Sequence, residues 1–597
     1  MTALYPVQDV FTRGEISPRL HSRASLDLYR AALAKCENFV TLPHGGIRAR
    51  GGTYFVNEVK NSAKKARGIP FIFSVDQAYC LEFGDLYIRV YAYGARVGTL
   101  EVASPWAESD LGDLSFYQSA DVMWITHPNY QTRKLTREAH TTWTLALLDV
   151  DDGPYLDINR TDTTLTPAAT ANLSLLYAGS AAASHAPQFG TSASNIWDGS
   201  SGNIISLETL AGWVSYTFSS GTHICDAYSV TVSSKPLLAP TSWTFQGYNG
   251  STWVDLDTQI GIVWFGGETK FFSMINTTAY SAYRLSWSAT GDANGQYSEF
   301  CEVTLHQAVS EQTPFNLTAS STTGINGNTG FQNNDVGRAI RLRARDGFWR
   351  WAKIIARTSP TVVTVKMQDQ ALPGTSAIVY WRLGAWSTSE GWPDSVTVFE
   401  ERLSFGKKYR INTSKTGDFD DFALGEKDDD AMEFLQAGGG QANDIVWIAD
   451  SDGAMIIATA GGIRALSGSG IDEALTPSSF KNRRSRTFGC ARIRPVDAGQ
   501  SFLYVTRSRR AIAELTQVQT SRYQSDDIGQ ISEHIPKRGV VELAYQTDPD
   551  PILWFPLDNG ELGGYTHQPS QEVRGLHRHR IGGTFAGSDW GMVEAQW

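Results

Sequence analysis

The 597-residue sequence has no long apolar run and no excess of basic charge. No stretch of about 18 apolar residues occurs, which excludes a transmembrane helix. Met1 to Pro18 lacks the apolar core of a secretory signal, so no such signal is expected. The net charge of −11 argues against a dedicated nucleic-acid-binding protein, although a local basic patch is compatible with it.

Cysteine is scarce and scattered along the chain. The five residues are Cys36, Cys80, Cys225, Cys301 and Cys490. No CxxC pair occurs, which argues against a cysteine zinc site. An odd number of distant cysteines in a large chain favours reduced thiols and a cytosolic place of synthesis.

Standard catalytic motifs are also missing. The sequence has no HExxH, no P-loop and no GxSxG. His127, His140, His577 and His579 do not follow a metal-ligand pattern. Two carboxylate clusters could in principle serve metal binding or hydrolysis, for which glycosidases need two facing carboxylates; they are Asp418, Asp420 and Asp421, and Asp428, Asp429 and Asp430. Such runs are typical of solvated turns. We therefore predict a protein with no catalytic activity, no metal and no cofactor.

Aromatic residues and glycine are abundant, at 11% and 55 residues. This combination predicts short strands joined by tight turns. The segments 444–449, 454–458 and 463–466 predict three strands with two turns, and similar units recur in 501–515 and 542–565. Such units are compatible with blades of an irregular β-propeller, although the repeat is too degenerate to count them. The predicted class is mainly β.

One helical pattern stands out near the N-terminus. Apolar residues recur at spacings of three and four at Leu26, Tyr29, Leu33, Cys36 and Val40. This spacing predicts a short helix with one apolar face, which Pro43 and the following glycines would end.

The chain is too long for a single hydrophobic core. A Thr, Ala and Ser-rich stretch, 163–184, predicts a linker. The block after it, 184–308, holds six of the 18 Trp and nine acidic but only three basic residues, which marks a separate domain. The predicted domains are 1–60 (helix and entering strand), 61–165 (β-rich), 184–308 (an inserted jelly-roll sandwich), 311–390 (small β) and 391–597 (propeller-like).

The N-terminal stretch resembles the nozzle family of short-tailed phages (podoviruses), also called tail tubular protein B. The resemblance lies in FTRGEISP at 11–18, LDLY at 26–29, CENF at 36–39, PHGG at 43–46 and RGGT at 50–53. A second set of matches is WRLGAW at 381–386, GWP at 391–393, FEERL at 399–403, TSKTGDF at 413–419 and TAGG at 459–462. Together they cover about 1–160 and 311–597.

This resemblance implies a structural virion protein. The family forms a homohexameric ring below the portal and its adaptor, with a β-propeller body and a lumen that passes double-stranded DNA. We accordingly expect a phage tail protein, assembled in the host cytoplasm, that extends the tube, retains DNA until ejection and supports tail fibres or a tip.

The block 184–308 is instead similar to discoidin-type domains, the coagulation-factor type C, galactose-binding-like fold. The similarity lies in WDG at 197–199, GWVSYTF at 212–218, PTSWTFQG at 240–247 and WVDLD at 253–257. Its loops are free to bind ligands. Trp197, Asp198, Trp264 and Phe265 are the candidate glycan-binding loop residues, while a purely structural decoration of the tail remains the alternative.

Positive charge concentrates between 481 and 510. We expect some of these arginines to face the lumen or a subunit boundary, with a solvated outer surface as the alternative; they are Arg483, Arg484, Arg486, Arg507, Arg509 and Arg510. Two other functions stay open for the whole chain. One is an adhesin that binds host surface glycans through 184–308, and the other is a tail-associated glycan hydrolase.

Overall fold

The computed structural model describes most of the chain. The described residues are 8–23, 25–167, 177–274, 276–291, 295–306, 314–344, 347–369, 372, 376–436, 444–451, 453–470, 473–485, 488–499, 501–519 and 522–581. They form two compact units. The first, here the propeller unit, comprises Met1–Pro154 and Gly391–Trp597, and the second comprises Tyr155–Glu390.

The propeller unit contains six four-stranded antiparallel sheets, each built from consecutive strands. Blade 1 is β3 Arg67–Ile72, β4 Ala78–Gly84, β5 Tyr87–Ala92 and β6 Ala95–Ala103; blade 2 is β7 Ser115–Ser119, β8 Val122–His127, β9 Tyr130–Ala139 and β10 Thr142–Leu147. Blade 3 is β27 Ser395–Phe399, β28 Arg402–Lys407, β29 Arg410–Thr413 and β30 Met432–Leu435; blade 4 is β31 Ile445–Ser451, β32 Ala454–Thr459, β33 Gly462–Ser467 and β34 Lys481–Arg484. Blade 5 is β35 Val496–Asp497, β36 Ser501–Val505, β37 Ile512–Gln519 and β38 Arg522–Asp527; blade 6 is β39 Ala544–Gln546, β40 Ile552–Pro556, β41 Leu562–Gln568 and β42 Val573–His579.

The blades pack in chain order. Separate apolar clusters join blades 1 and 2, 3 and 4, 4 and 5, and 5 and 6. Strand β27 contacts β7 and β8, which joins blade 3 to blade 2. Arg67 of blade 1 bonds to Glu542, just before blade 6, at 2.8 Å. The six sheets therefore close into a ring, a propeller arrangement.

The N-terminal segment lies against the last blade. Strands β1 Phe39–Thr41 and β2 Ile47–Ala49 form a hairpin, and β1 contacts β42. Gly14 and Glu37 form isolated bridges with the same strand. The segment thus covers an edge strand that would otherwise offer unpaired backbone groups.

The helix predicted from the spacing of Leu26 to Val40 is wrong in extent. The structure has a five-residue 3-10 helix, Asp27–Ala31, followed by extended chain and β1. The Leu33 N–H bonds to the Gly14 carbonyl at 2.7 Å, and the Leu33 carbonyl accepts from Ile16. Pairing with the neighbouring chain segment therefore satisfies the backbone groups that a helix would have used.

The second unit contains a β-sandwich over 177–306. Its five-stranded sheet has the order β12-β14-β19-β16-β17 and faces a three-stranded sheet β18-β15-β21, with a short pair β13-β20 beside them. The strands are β12 Gly179–Ala183, β13 Ile205–Leu207, β14 Gly212–Phe218, β15 Ala227–Thr231, β16 Pro240–Tyr248, β17 Trp253–Gln259, β18 Thr269–Ser273, β19 Ala282–Thr290, β20 Ser298–Phe300 and β21 Glu302–His306. One apolar cluster fills the space between the sheets.

The same unit contains a six-stranded antiparallel sheet in the order β11-β22-β25-β24-β23-β26. Its strands are β11 Leu165–Pro167, β22 Phe315–Ala319, β23 Ala339–Arg343, β24 Trp349–Ser359, β25 Val362–Met367 and β26 Trp381–Leu383. The linker predicted over 163–184 is wrong at both ends, where the structure has strands. Strand β11 pairs with β22, and β12 pairs with β14. Its middle, 168–176, lies outside the described residues.

All helices in the described part of the chain are short 3-10 turns. They are Pro18–Leu20, Asp27–Ala31, Glu108–Asp113, Ala193–Ile196, Pro236–Leu238, Asn326–Asn328, Asn333–Asp335, Pro536–Arg538 and Pro569–Gln571. Within those same residues, no helix has the length and apolar character needed to cross a membrane. The predicted mainly β, multi-domain class is confirmed.

Candidate functional site

Exposed apolar side chains gather on loops of the β-sandwich. Phe265 is 72% exposed at the tip of the loop between β17 and β18. Its N–H donates to the Glu268 carboxylate at 3.0 Å, and its carbonyl accepts from the Glu268 N–H at 3.0 Å. A Cβ on Gly266 would stand 3.0 Å from the Ser234 carbonyl oxygen. Two hydrogen bonds between Phe265 and Glu268 therefore close the turn, and Gly266 packs on the loop that contains Ser234. These contacts fix the backbone of Phe265 while its ring is exposed to solvent.

A second exposed ring, Phe189, is 75% exposed and lies 5.3 Å from the ring of Tyr297. Its backbone has φ +55°, in the left-handed region. That conformation costs a bulky residue about 1–3 kcal/mol and persists only where the surroundings impose it. Here the Gln188 N–H bonds to the Ser206 carbonyl at 2.8 Å and holds the start of the turn on β13.

Contacts connect the two rings through the loop 232–239. The Phe265 turn packs on Ser234, and the next residue, Lys235, pairs with Glu299 at 3.4 Å. Glu299 lies on β20, two residues after Tyr297, the partner of Phe189. A chain of contacts thus runs from the Phe265 turn through the Lys235–Glu299 pair to the segment that holds Tyr297 and Phe189; the exposed parts of these loops are here called the loop surface.

A buried carboxylate lies beneath a neighbouring loop. Glu302 is 4% exposed and accepts the Gly199 N–H at 3.1 Å. Burial raises the pKa of Glu302 to about 8; the Gly199 hydrogen bond opposes this, and the charge of Asp198 adds to it. Asp198 itself is exposed and accepts from Ser200 and Asn203 at 2.8 and 2.6 Å. Both carboxylate oxygens of the candidate Asp198 therefore accept hydrogen bonds from residues of the same turn.

The structure corrects two of the four predicted glycan-binding residues. Trp197 and Trp264 are 2% and 6% exposed and belong to the sandwich core. The Trp264 ring packs 6.1 Å from that of Trp243, and its indole N–H donates to the Pro240 carbonyl at 2.6 Å. A buried ring cannot stack on an external sugar, so these tryptophans stabilise the fold instead.

Sequence reasoning missed Phe189 and Tyr297. The one local signal was the dipeptide Phe189-Gly190, since a glycine after an aromatic residue favours a turn. Gly190 has φ +70°. The contact of Phe189 with Tyr297 joins positions far apart in the chain, and no local pattern could have shown it.

The predicted arginines differ in their surroundings. Arg483 is half-buried and Arg484 exposed on β34, the last strand of blade 4, while Arg507 and Arg510 are exposed at a turn of blade 5. Arg509 instead bonds within its own chain, to the Val540 carbonyl at 2.9 Å and Asp558 at 2.7 Å. Arg486 lies outside the described residues.

The aspartates considered for hydrolysis lie in turns. Asp421 pairs with Lys415 at 2.5 Å, and Asp430 accepts the Lys427 N–H at 2.9 Å. The backbone carbonyls of 428–430 accept hydrogen bonds from Arg402, which is 2% exposed. These residues thus have structural contacts around a buried guanidinium.

The four histidines that lack a metal-ligand pattern in the sequence have local partners in the structure. His127 accepts the Asn129 N–H at 3.1 Å, and His140 lies 3.0 Å from the Tyr79 hydroxyl. His577 and His579 bond to each other at 2.6 Å. Burial lowers the pKa of both, to about 3 for His579. Within the described residues, no group of three or more His, Cys, Asp or Glu side chains is arranged to hold a metal ion.

Comparison with known proteins gives matches among solved structures alone. No family model and no curated protein matches the sequence. The module CpGH89CBM32-5 from Clostridium perfringens, in complex with GalNAc-β-1,3-galactose, is 14% identical with a TM-score of 0.20, covering 23% of this chain and 100% of that chain. The family 32 module of C. perfringens NanJ, in complex with galactose, is 11% identical with a TM-score of 0.20, covering 24% and 99%.

A third solved structure is chitosan-binding module 1 from a chitosanase/glucanase of Paenibacillus sp. IK-5. It is 17% identical with a TM-score of 0.19 and covers 23% of this chain and 99% of that chain. The resemblance of the propeller unit to nozzle proteins stays a prediction.

Proposed function

We propose that this protein is a binding protein whose sandwich attaches to a carbohydrate through the loop surface. The observation that carries the proposal is Phe189, whose ring stays 75% exposed against Tyr297 although its backbone is strained. Strain of this kind concentrates at ligand-binding positions. A rigid exposed ring offers an apolar face to the C–H side of a sugar, and nearby polar groups can bond its hydroxyls.

Charge favours a neutral sugar over an acidic one. The segment 184–308 has nine acidic and three basic residues. Two of its three cations are already paired, Lys235 with Glu299 and Lys270 with Glu268. An acidic glycan would therefore meet net repulsion.

Binding of the full chain to a glycan array, followed by titration with the best neutral sugar, tests this proposal. Phe189→Gly removes the side chain and tolerates the left-handed backbone, and Phe265→Ala removes the second ring. We expect each to weaken binding at least about tenfold, the equivalent of roughly 1.4 kcal/mol. Phe55→Ala is the matched control, because Phe55 is 77% exposed in the propeller unit. Unchanged affinity in both loop variants, or no binding by the parent chain, would contradict the proposal.

We further propose that the propeller unit is a subunit of a homohexameric ring in the tail of a short-tailed phage. There it would join the portal adaptor to fibres or a tip and let double-stranded DNA pass through the ring. Besides the sequence resemblance, the last strand of blade 4 supports this proposal. Strand β34 is an edge strand that carries Lys481, Arg483 and Arg484 in an acidic chain. An edge strand with one sign of charge suits an oppositely charged neighbour.

Native mass measurement of assembled tails tests the ring. Replacing Arg483 and Arg484 by Ser should impair assembly if the strand contacts a neighbouring subunit, and should alter the salt dependence of DNA retention if it faces the lumen. Arg522→Ser, on the edge strand of blade 5, is the control. A different closed symmetry in assembled tails would refute the hexamer.

A further inference from the structure

The six-stranded sheet of the second unit has an apolar face and a charged face. Burial alternates along β23, β24 and β25, and the buried side chains, such as Ile340, Ala352 and Val363, belong to one apolar cluster. The positions between them are half-buried or exposed and point to the opposite face. Five cations lie on that face, here called the basic face: Arg341, Arg343, Lys353, Lys366 and Arg382.

The part of the chain that forms the basic face is positively charged in an acidic protein. The segment 311–390 has nine basic and five acidic residues, whereas the whole chain has a net charge of −11. Two carboxylates lie beside the face. Asp369 accepts the Trp351 N–H at 3.3 Å, and Asp157 follows Leu156, whose carbonyl accepts from Arg382 at 2.7 Å. Even if each neutralises one cation, the face keeps an excess of positive charge and attracts anions.

Cations also stand directly opposite one another on neighbouring strands of this sheet. Arg341 is the register partner of Arg382, and Lys353 is the register partner of Lys366. Both guanidiniums lie over the buried ring of Tyr155, at 5.6 and 6.0 Å from its centre. Like charges at such positions repel and destabilise a sheet. A polyanion that crosses the face would relieve this repulsion, because its charges would lie between the cations.

Aromatic rings accompany these cations. Trp349 and Trp351 are two positions apart on β24, so they lie on one face about 7 Å from each other. Their register partners are Arg343 and Arg341, so each tryptophan stands beside an arginine. Tyr380 is 52% exposed, and its ring centre lies 5.8 Å from the Arg343 guanidinium. The face thus repeats a planar ring with a neighbouring cation along one strand.

This pattern matches a polymer that has one planar ring and one negative charge in each unit, which is a nucleotide. Positive charge that follows the phosphates, with aromatic side chains that stack on the bases, is the usual chemistry of single-strand binding, and sheet faces can provide it. We propose that the basic face binds a single-stranded nucleic acid, with phosphates on its cations and bases on Trp349 and Trp351.

Two other polyanions fit the face less well. A double helix keeps its bases stacked inside, where the tryptophans cannot reach them, and an acidic polysaccharide has no planar ring. The sandwich is excluded as the binding surface, because the nine acidic and three basic residues of 184–308 would repel phosphates. The basic face shares no residue with the loop surface, so the inference depends neither on the carbohydrate proposal nor on the ring.

Fluorescence anisotropy of a labelled oligothymidylate of about 15 nucleotides, titrated with the full chain at several salt concentrations, tests the site. We expect binding that weakens as salt rises. A duplex of the same length and polygalacturonate should bind at least about tenfold more weakly at equal concentration of charge. The proposal is overturned if the single strand does not bind, or if either of the other polyanions binds as tightly.

Substitutions separate the two contributions to binding. Lys366→Gln should reduce the slope of log affinity against log salt by about 0.7, the loss of one phosphate contact on a single strand. It should not lower the melting temperature, because it removes a charge that opposes Lys353. Trp349→Ala should weaken binding about fivefold or more, whereas Trp349→Phe, which keeps a ring for stacking, should retain most of the affinity.

The matched controls lie in the propeller unit. Arg522→Gln removes an exposed cation from β38, and Tyr93→Ala removes a ring from a residue that is 75% exposed. Neither should change the affinity or its salt dependence. If Lys366→Gln and Trp349→Ala both bind the oligothymidylate as the parent chain does, the basic face is not the binding site and the proposal is overturned.

Discussion

Glu15 and Arg578 are 563 positions apart in the chain and form a buried ion pair: the Arg578 Nε donates a hydrogen bond to the Glu15 carboxylate at 3.2 Å, and its Nη2 lies 3.1 Å from the other carboxylate oxygen. The Glu15 carboxylate also accepts from the Cys36 N–H at 2.8 Å and lies 2.8 Å from the His534 ring nitrogen. Glu15 is 1% exposed. The N-terminal segment is therefore anchored to blade 6 through one buried carboxylate.

Glu15→Gln should destabilise the propeller unit by about 3–5 kcal/mol at neutral pH, because it leaves the charge of Arg578 without its partner. Burial acts against the carboxylate, but the hydrogen bonds from His534 and Cys36 and the charge of Arg578 prevail, so the pKa of Glu15 is lowered. Its contribution is thus present above the ordinary value of 4.5 and lost as pH falls through the lowered pKa.

Denaturant unfolding at neutral and acid pH measures this effect. Glu533→Gln is the control, since the Arg19–Glu533 pair is exposed and should contribute at most about 1 kcal/mol. Equal losses in the two variants would show that the buried anchor has no special role.

Gly14→Ala should be more damaging than its backbone angle alone explains. Gly14 has φ +63°, and a Cβ there would stand 2.3 Å from the Leu576 carbonyl oxygen. Gly94 has φ +72° with no atom within 4 Å of such a Cβ. Gly94→Ala therefore measures the backbone strain, about 1–2 kcal/mol, and we expect Gly14→Ala to cost about 1–3 kcal/mol more in the free energy of unfolding. Similar losses of stability in the two variants would mean that blade 6 shifts to accommodate the added methyl group at position 14.

Neighbouring residues 264 and 265 should respond in opposite ways to truncation. Trp264→Ala removes a buried ring and an indole hydrogen bond, so we expect a loss of about 3–5 kcal/mol in sandwich stability. Phe265→Ala should change stability by no more than about 0.5 kcal/mol, because the ring is exposed. Thermal unfolding of the two variants checks this, and a large loss for Phe265→Ala would show that the ring packs on the fold.

Glu302→Gln should stabilise the sandwich at alkaline pH. Because the pKa of Glu302 is raised to about 8 from 4.5, the folded state keeps a proton that the unfolded state releases. Stability is then highest below the unfolded value and falls as pH rises towards about 8. The glutamine cannot ionise, so the variant should exceed the parent near about pH 9 and equal it near about pH 4.

The control for this pH series is Glu208→Gln, at an exposed position of the same sandwich. It should follow the parent at every pH. A Glu302→Gln variant less stable than the parent in alkaline solution would show that the ionised carboxylate is needed, contrary to the expectation.

The helical pattern of Leu26 to Val40 shows one limit of local reasoning. Cys36 and Val40 are buried, as the pattern predicts, but they bury against blade 6 from extended chain. Apolar residues spaced three or four apart indicate which side chains are buried, but they do not require a helix. A short segment can bury the same side chains in an extended conformation when another segment supplies its backbone hydrogen bonds. That pairing partner, Gly14 to Ile16, is non-local.

The sequence by itself determined the β class, the strand-and-turn units and the distinct composition of 184–308, because alternation, glycine turns and charge bias are local properties. Tertiary structure decided that six blades close through Arg67 and Glu542, that Trp197 and Trp264 are core while Phe265 is exposed, and that Phe189 meets Tyr297. Burial and pairing depend on residues far away in the chain, and a pattern within one segment carries no information about them.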